Sequence, residues 1–501
     1  MEFFGNIVLG FQTTFQPINL VYCFIGCVIG TAIGVLPGIG PTGAVSILLP
    51  VTFKISPVTS VILLSGIYYG AMYGGSTTSI LVNVPGEAAS VVTCLDGYQM
   101  ARQGRAGPAL GIAAFGSFIA GTFSVVALMF LSYPLSTFAL AFGPPEYTAL
   151  IVLGITILTY LAQKSMIKAL MMAALGFLLS FVGIDMLTGR PRYTFGVAGL
   201  MDGVGILPVA MGLFGVTEVL ENLATSEEIS LVKTKLRNLL PNRADWKDSW
   251  KPITRGSLIG FLIGIIPGGN ATLASFVSYA TEKRCSKHPE AFGRGAIEGV
   301  AGPESANNSA FGGGMVPLFA LGIPTSVACA LLFAALMMHG VQPGPFLIPE
   351  HPDIFWGLVA SMYLGNIMLL VINLPLIGIW VQVLKVPARI LLPLILFFCI
   401  VGAYAANNSF FDVGVMMVFG VLGYLMKRFD YEPAPLILAF VLGPILENSM
   451  RQSLKLSEGD FTIFVSRPVS VALLSLAVLV LLSNLFFKNG RDVLDAKDAK
   501  V

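Results

Sequence analysis

The chain has 501 residues, 55 % of them apolar and 11 % charged, with a formal net charge of +2 and a mean hydropathy of +0.82. A soluble globular chain carries about 25 % charged residues, so most of this one lies in a bilayer. The near-zero net charge gives no basis for nucleic-acid binding.

Hydropathy, with about 20 residues per span, predicts an all-α polytopic membrane protein of about twelve transmembrane helices. The apolar pieces fall near 18–36, 41–53, 58–84, 107–132, 146–162, 166–185, 199–221, 255–281, 297–320, 322–340, 353–384, 390–404, 410–426, 433–447 and 468–487. They outnumber twelve because several read as half-helices or re-entrant hairpins, and 353–384 is long enough to be kinked. The organisation reads as a first membrane repeat over 1–221, a cytoplasmic linker over 222–254, a second repeat over 255–487 and a polar tail over 488–501. The linker is basic, with Lys233, Lys235, Arg237, Arg243, Lys247 and Lys251, and basic excess in a short loop marks the cytoplasmic side. Arg102, Arg105, Lys164 and Lys168 fit the same side. The start, Met1-Glu2-Phe3-Phe4, lacks a basic n-region, so no removable signal peptide is expected.

Two stretches are versions of each other. Gly30, Gly34, Pro37 and Gly38 match Gly260, Gly264, Pro267 and Gly268, each 230 positions later. Pro removes a donor and clashes with the preceding turn, and Gly adds no side chain. Backbone freed inside lipid has to line a cavity or be buried in protein. Paired broken helices in the two halves of a transporter point to its binding site. The repeat continues at an offset of 239, where Gly74-Gly75 and Pro85-Gly86 parallel Gly313-Gly314 and Pro324-Thr325. Counting spans favours inverted repeats, whereas counting basic loops puts both hairpin mouths on the cytoplasmic side. Inversion is the expectation.

The turns supply the first candidates. Pro37, Gly38, Gly40, Thr42 and Gly43 surround the first, and Pro267, Gly268, Gly269, Asn270 and Thr272 the second. Each turn can start a half-helix, whose free N–H groups and dipole suit an anion. The plain alternative is that Gly-rich helices only pack closely; two matched motifs favour a site. A valine at Gly38 or Gly268 is then expected to abolish transport while leaving expression intact. Gly75, Ser76 and Thr77, with Pro324 and Thr325, complete the expected substrate-binding set. Asn83, Glu304, Asn307, Asn308 and Ser309 form the expected ion-binding set, since amides, hydroxyls and a carboxylate suit a hard cation. Acids inside a membrane are functional by default, and Glu87 and Glu304 flank these motifs. Asn407-Asn408-Ser409 echoes Asn307-Asn308-Ser309 and reads as either a loop near the pathway or a polar turn.

Other chemistries find little support. The six cysteines (Cys23, Cys27, Cys94, Cys285, Cys329 and Cys399) form no disulfide framework, and Cys23 with Cys27 reads as packing. His288, His339 and His351 lack metal spacing, no phosphate-binding loop is present, and no His or Asp cluster supports a membrane enzyme. No Lys or Arg lies inside a clear span. An anionic substrate would be met by helix ends, amides and a co-transported Na⁺ or H⁺, with no other cofactor.

The motifs in order resemble the large membrane subunit of the tripartite tricarboxylate transporter family. They are Gly34-Val35-Leu36-Pro37-Gly38-Ile39-Gly40, Tyr69-Gly70 to Gly75-Ser76, Val84-Pro85-Gly86, Pro267-Gly268, Glu298 to Asn308 and Gly322-Ile323-Pro324-Thr325. Towards the end come Ala434-Pro435-Leu436, Gly443-Pro444, Glu447, Arg451, Ser453, Gly459-Asp460 and Arg467-Pro468. The resemblance implies a non-enzymatic, ion-gradient-driven permease for citrate-like carboxylates in the bacterial inner membrane. It also implies a small membrane subunit and a periplasmic substrate-binding protein as partners. An uncoupled channel is the alternative.

Overall fold

The computed structural model describes residues 2–36, 40–162, 164–185, 188–224, 239–384, 386 and 388–482. Pro37 and Gly38, the linker's Lys233, Lys235 and Arg237, and the tail 488–501 lie outside the described residues.

The helices in chain order are α1 (Glu2–Thr14), α2 (Pro17–Val35), α3 (Gly40–Leu48), α4 (Pro57–Val82), α5 (Val91–Arg102), α6 (Ala106–Ala139), α7 (Pro144–Tyr160) and α8 (Met166–Ser180). A two-residue antiparallel ribbon, Gly183–Ile184 with Pro191–Arg192, follows. Then come α9 (Ile206–Ala210), a π-helical segment (Met211–Val216), α10 (Thr217–Ala224), α11 (Arg243–Ile265), α12 (Ala271–Cys285), α13 (Glu298–Leu321) and α14 (Val327–Met338). The last are α15 (Leu347–Glu350), α16 (Pro352–Asn373), α17 (Ile377–Val383), α18 (Ala388–Asn407), α19 (Phe410–Arg428), α20 (Pro433–Leu456) and α21 (Ile463–Ser466). The fold is all-α and polytopic. Among the described residues, seven helices are long and apolar enough to cross a membrane. The helices α4, α11 and α13, with 26, 23 and 24 residues, also have the length. Gly and Ser in α4, and Gly, Ser and Asn in α13, lower the hydropathy of these two helices, which are buried along nearly their whole length, and the charged first turns do so in α11.

Local chemistry sets the ends. Pro57 sits at the start of α4 behind Ser56, which accepts from Thr59 N at 3.2 Å. Asn270 caps α12 by accepting from Leu273 N at 2.8 Å, and Ser326 caps α14 from Cys329 N at 3.3 Å; such caps satisfy orphan donors. The expected long segment 353–384 breaks at Pro375, between α16 and α17, where proline removes a helix donor. By contrast α11 begins at Arg243, twelve residues before the apolar run at 255. Its first turns are polar and amphipathic, so hydropathy alone misses them.

By packing, the chain forms two compact units. The first holds 1–139, 205–265 and 269–428. Its core is two pairs of parallel helices in backbone contact. In the pair α2–α4, a Cβ at Gly30 would lie 2.2 Å from Ile67 O, and one at Gly34 2.1 Å from Ala71 O. Reciprocally, one at Gly74 would lie 2.4 Å from Thr31 O. In the pair α11–α13, a Cβ at Gly260 would lie 2.1 Å from Ala306 O, and one at Gly264 2.0 Å from Ala310 O. Only glycine permits such an approach, which in a membrane gains dispersion contact that lipid cannot supply. The helices α4 and α13 cross antiparallel: Tyr68 stacks on Phe311 at 3.9 Å between centroids, and Ser76 reaches Glu304.

The second unit holds 140–204, 266–268 and 429–501. Here α8 and α20 run parallel, with Gly176 against Leu436 O and Gly443 against Ser180. At one end Lys164 pairs with Asp430, and that hydrogen bond holds the Asp430 carboxyl below its ordinary range. At the other end Arg192 bridges Glu447 at 2.6 Å and Asp185 at 3.5 Å, and Arg451 bridges Asp185 at 2.9 Å and Glu447 at 2.6 Å. Replacing Arg451 with methionine leaves two largely buried carboxylates with one arginine. The expected loss is about 1–3 kcal/mol, less than for a fully buried pair because the arginines are partly exposed. A fall in apparent Tm of the detergent-solubilised variant checks it.

Candidate functional site

The two helix pairs carry matched loops at matched places. The helix α4 ends in left-handed Asn83 (φ 62°) and α13 in left-handed Gly322 (φ 71°). Pro85 and Pro324 follow, each two residues on. After the first, Gly86 lies against the end of α2 and the glycine pair of α4: its Cβ would meet Gly34 O at 2.4 Å and Gly75 Cα at 2.5 Å. After the second, Thr325 Oγ1 lies 2.7 Å from where a Gly314 Cβ would be, with Gly264 O also close. Thr325 is 1 % exposed and its hydroxyl has no partner.

Of the first turn's candidates, Pro37 and Gly38 lie outside the described residues. Gly40 (φ 60°) opens α3, with Thr42 and Gly43 in its first turn. In the second unit, Pro267 packs on Gly154 and Gly268 on Leu158. Gly269, Asn270 and Thr272 belong to the first unit, where Asn270 and Thr272 begin α12. Gly268 has φ 81°, and a Cβ there would sit 2.7 Å from Leu158 Cα. A valine at this position is therefore expected to cost stability as well as transport, by about 1–3 kcal/mol, read as a lower apparent Tm against wild type.

The structure brings together a buried polar cluster where α4, α5, α6 and α13 meet. Ser76 donates to Glu304 Oε2 at 2.5 Å, and Thr93 donates to Glu304 Oε1. Asn307 Nδ2 donates to Glu87 Oε1 at 2.6 Å. Asn308 Nδ2 donates to Ser117 Oγ at 2.7 Å and to Glu304 O at 3.1 Å. Glu304, Asn307 and Asn308 share one face of α13 through their i, i+3, i+4 spacing. Of the other expected ion ligands, Asn83 is exposed at the α4 terminus, and Ser309 donates to Ser257 O on α11 at 2.7 Å. Thr93 and Ser117 had no signal in the sequence, being single hydroxyls outside the Pro-Gly and Asn-rich motifs.

Asp96, one turn beyond Thr93 on α5, fixes the approach to α13. Its Oδ1 accepts from the backbone N–H of Gly293, Gly295 and Ala296 at 2.8, 2.8 and 2.9 Å, and its Oδ2 from Tyr279 at 2.9 Å. Three N–H donors meet the carboxylate charge without a cation.

An all-α bundle with several membrane-length apolar helices defines a multi-pass membrane protein, here with carboxyls, amides and hydroxyls gathered inside it. The chain belongs to the tripartite tricarboxylate transporter TctA family, which its residues 20–438 match. It is similar to a protein of Agrobacterium vitis described as an uncharacterized 52.8 kDa protein in the TAR-I ttuC' 3' region, 49 % identical over 478 residues and 95 % of each chain. A second A. vitis protein, described as uncharacterized in the TAR-II ttuC' 3' region, is 47 % identical over 241 residues, 48 % of this chain and 100 % of its own length. No solved structure matches the chain.

Proposed function

We propose that this protein is the large membrane subunit of a secondary active permease that imports citrate-like carboxylates across the bacterial inner membrane. A small membrane subunit completes the membrane part, a periplasmic binding protein delivers the substrate, and a Na⁺ or H⁺ gradient drives uptake. Family membership supports the class of cargo and the tripartite assembly. The observation that carries the mechanism is the pair of glycine-sealed helix pairs, α2–α4 and α11–α13, crossing antiparallel at Tyr68 and Phe311. Equivalent helices that run in opposite directions support inverted repeats, the arrangement that places a site between two halves. The two sequence offsets, 230 and 239, fit this reading, because the nine extra residues fall between α11 and α13, in the α12 return.

Substrate would be held at the turns and loops that close each pair: Pro37, Gly38, Gly40, Thr42 and Gly43 with Gly75, Ser76 and Thr77 in one half. In the other half the set is Pro267, Gly268, Gly269, Asn270 and Thr272 with Pro324 and Thr325. Helix N-termini and unpartnered hydroxyls such as that of Thr325 suit a carboxylate in a site without Lys or Arg. The runner-up is an uncoupled carboxylate channel. Uptake of labelled citrate and other carboxylates, in cells expressing the chain with both partners, separates the two. Accumulation that collapses with the Na⁺ or H⁺ gradient is expected. Simple equilibration whatever the gradient would favour the channel.

A further inference from the structure

Glu87 and Glu304 are 7 % and 1 % exposed, and among the described residues no Lys, Arg or His pairs with either. An ionised carboxylate buried without a counter-charge is far costlier than its hydrogen bonds can offset. Among the described residues no side chain supplies the positive charge, which leaves a bound cation or a proton to neutralise each carboxyl. The side-chain groups on the Glu304 carboxylate are hydroxyls. The Ser76 and Thr93 hydroxyls meet the two oxygens of Glu304, and Ser117 lies behind Asn308. Asn307 and Asn308, 1 % and 0 % exposed, each use the amide nitrogen inside the cluster and leave the amide oxygen unpartnered. A small cavity lined by Tyr73, Ser76, Thr77, Ser117 and Asn373, together with the apolar Leu110, Ala113 and Ala114, adjoins it. The Tyr73 hydroxyl and the Asn373 amide oxygen are also unpartnered. Hard oxygen donors with orphan acceptors are what a dehydrated cation needs. Among the described residues no three His, Cys, Asp or Glu side chains gather as a multivalent metal would require.

Resting on the coupled-permease reading, we propose that this cluster binds one Na⁺, with Glu304 as its charged ligand and the amide oxygens of Asn307 and Asn308 as neutral ones. Ser76 and Thr93 position the Glu304 carboxylate. The two carboxyls differ in their neighbours. Hydroxyls donate to both oxygens of Glu304, as suits an ionised, acceptor-only group, whereas Glu87 receives its side-chain donor on Oε1 alone. Glu87 carries a proton, so one cation and one proton neutralise the pair. The halves of the bundle are unequal in this respect: 239 residues from Glu304 and Glu87 stand Ser65 and Ser326, so the acidic site occurs once.

The test is thermal unfolding of the purified full chain in choline chloride, titrated with NaCl and, as an ionic-strength control, KCl. A saturable rise in apparent Tm specific to Na⁺ is expected. Glu304→Gln should abolish it, and Thr93→Val or Ser76→Ala should weaken the apparent Kd by about tenfold, the scale of a lost hydrogen bond to a charged group. Glu87→Gln, an isostere of the protonated acid, should retain it. No Na⁺-specific rise in wild type, a rise that survives Glu304→Gln, or a rise lost only in Glu87→Gln would overturn the assignment. Should Glu304→Gln not fold, unchanged Na⁺ affinity in both hydroxyl variants would overturn it instead. Uptake in cells, run in parallel, tells the two failures apart. Gradient-driven uptake that persists in Glu304→Gln removes the site and spares the permease. Uptake that ignores every gradient removes the coupling itself.

Discussion

Alanine at Gly264 is expected to prevent the chain from accumulating as a folded membrane protein. The added methyl would sit 2.0 Å from Ala310 O and 2.8 Å from Ala310 C, well inside van der Waals contact. The obstacle is backbone of a neighbouring helix, so no rotamer change relieves it; the helices have to separate. Separation also loosens Gly260 against Ala306 and Gly256 against Gly302 along the same face. Overpacking of this kind costs about 3 kcal/mol or more. It outweighs the gain of roughly 1 kcal/mol that alanine brings to a helix interior. The control is Gly414→Ala in α19, where a Cβ meets nothing within 4 Å and the propensity gain should stand alone. Size-exclusion profiles and apparent Tm of both variants decide the matter. A Gly264→Ala protein that folds and melts within about 0.5 °C of wild type, roughly 0.5 kcal/mol for a chain this long, would show that the helices do not approach as described.

Replacing Asp96 with alanine is the second large effect. It strips one acceptor from three backbone N–H groups, those of Gly293, Gly295 and Ala296, and from the Tyr279 hydroxyl. Asp96 is fully buried; orphaning the buried Ala296 N–H costs about 1–3 kcal/mol, and the exposed Gly293 and half-buried Gly295 and Tyr279 cost less because water reaches them. A total of about 2–4 kcal/mol is expected, a large share of the stability of a domain. Asparagine retains one acceptor oxygen and should fall between. Function should suffer beyond stability, because Asp96 and Thr93 lie on one side of α5 and both hold the start of α13. In Asp96→Asn, proteolysis or hydrogen exchange should open residues 286–297 first. Protection of that segment equal to wild type would show that the carboxylate does not anchor it.

Much of the architecture was legible in the sequence because its signals are local. Proline and glycine announced the break before Asn270, and the run of small and apolar residues near 58–84 marked α4, which ends just before Asn83. What the sequence hid is what depends on a partner. Gly30, Gly34, Gly260 and Gly264 read as part of the turn motifs, yet their contacts are with helices that follow them by about forty residues, and glycine alone does not reveal its neighbour. Thr93 and Ser117 became visible only when α5 and α6 were laid beside α13. Asp96 read as an acid near a segment end, where solvent is the ordinary partner; a loop two hundred residues away supplies its donors instead. The early start of α11 was hidden for a simpler reason, since Lys247, Asp248 and Lys251 lower hydropathy without breaking a helix.

The backbone seams between α2 and α4, and between α11 and α13, have a mechanical consequence. Side chains that interdigitate can slip by changing rotamer, whereas two main chains in contact through glycine have no soft layer between them. Each pair should therefore behave as one stiff beam, and a displacement of Gly34 carries Ala71 and the Gly86 loop with it. Compliance has to reside where the seams end, as in the loops at 83–90 and 322–326 that follow α4 and α13.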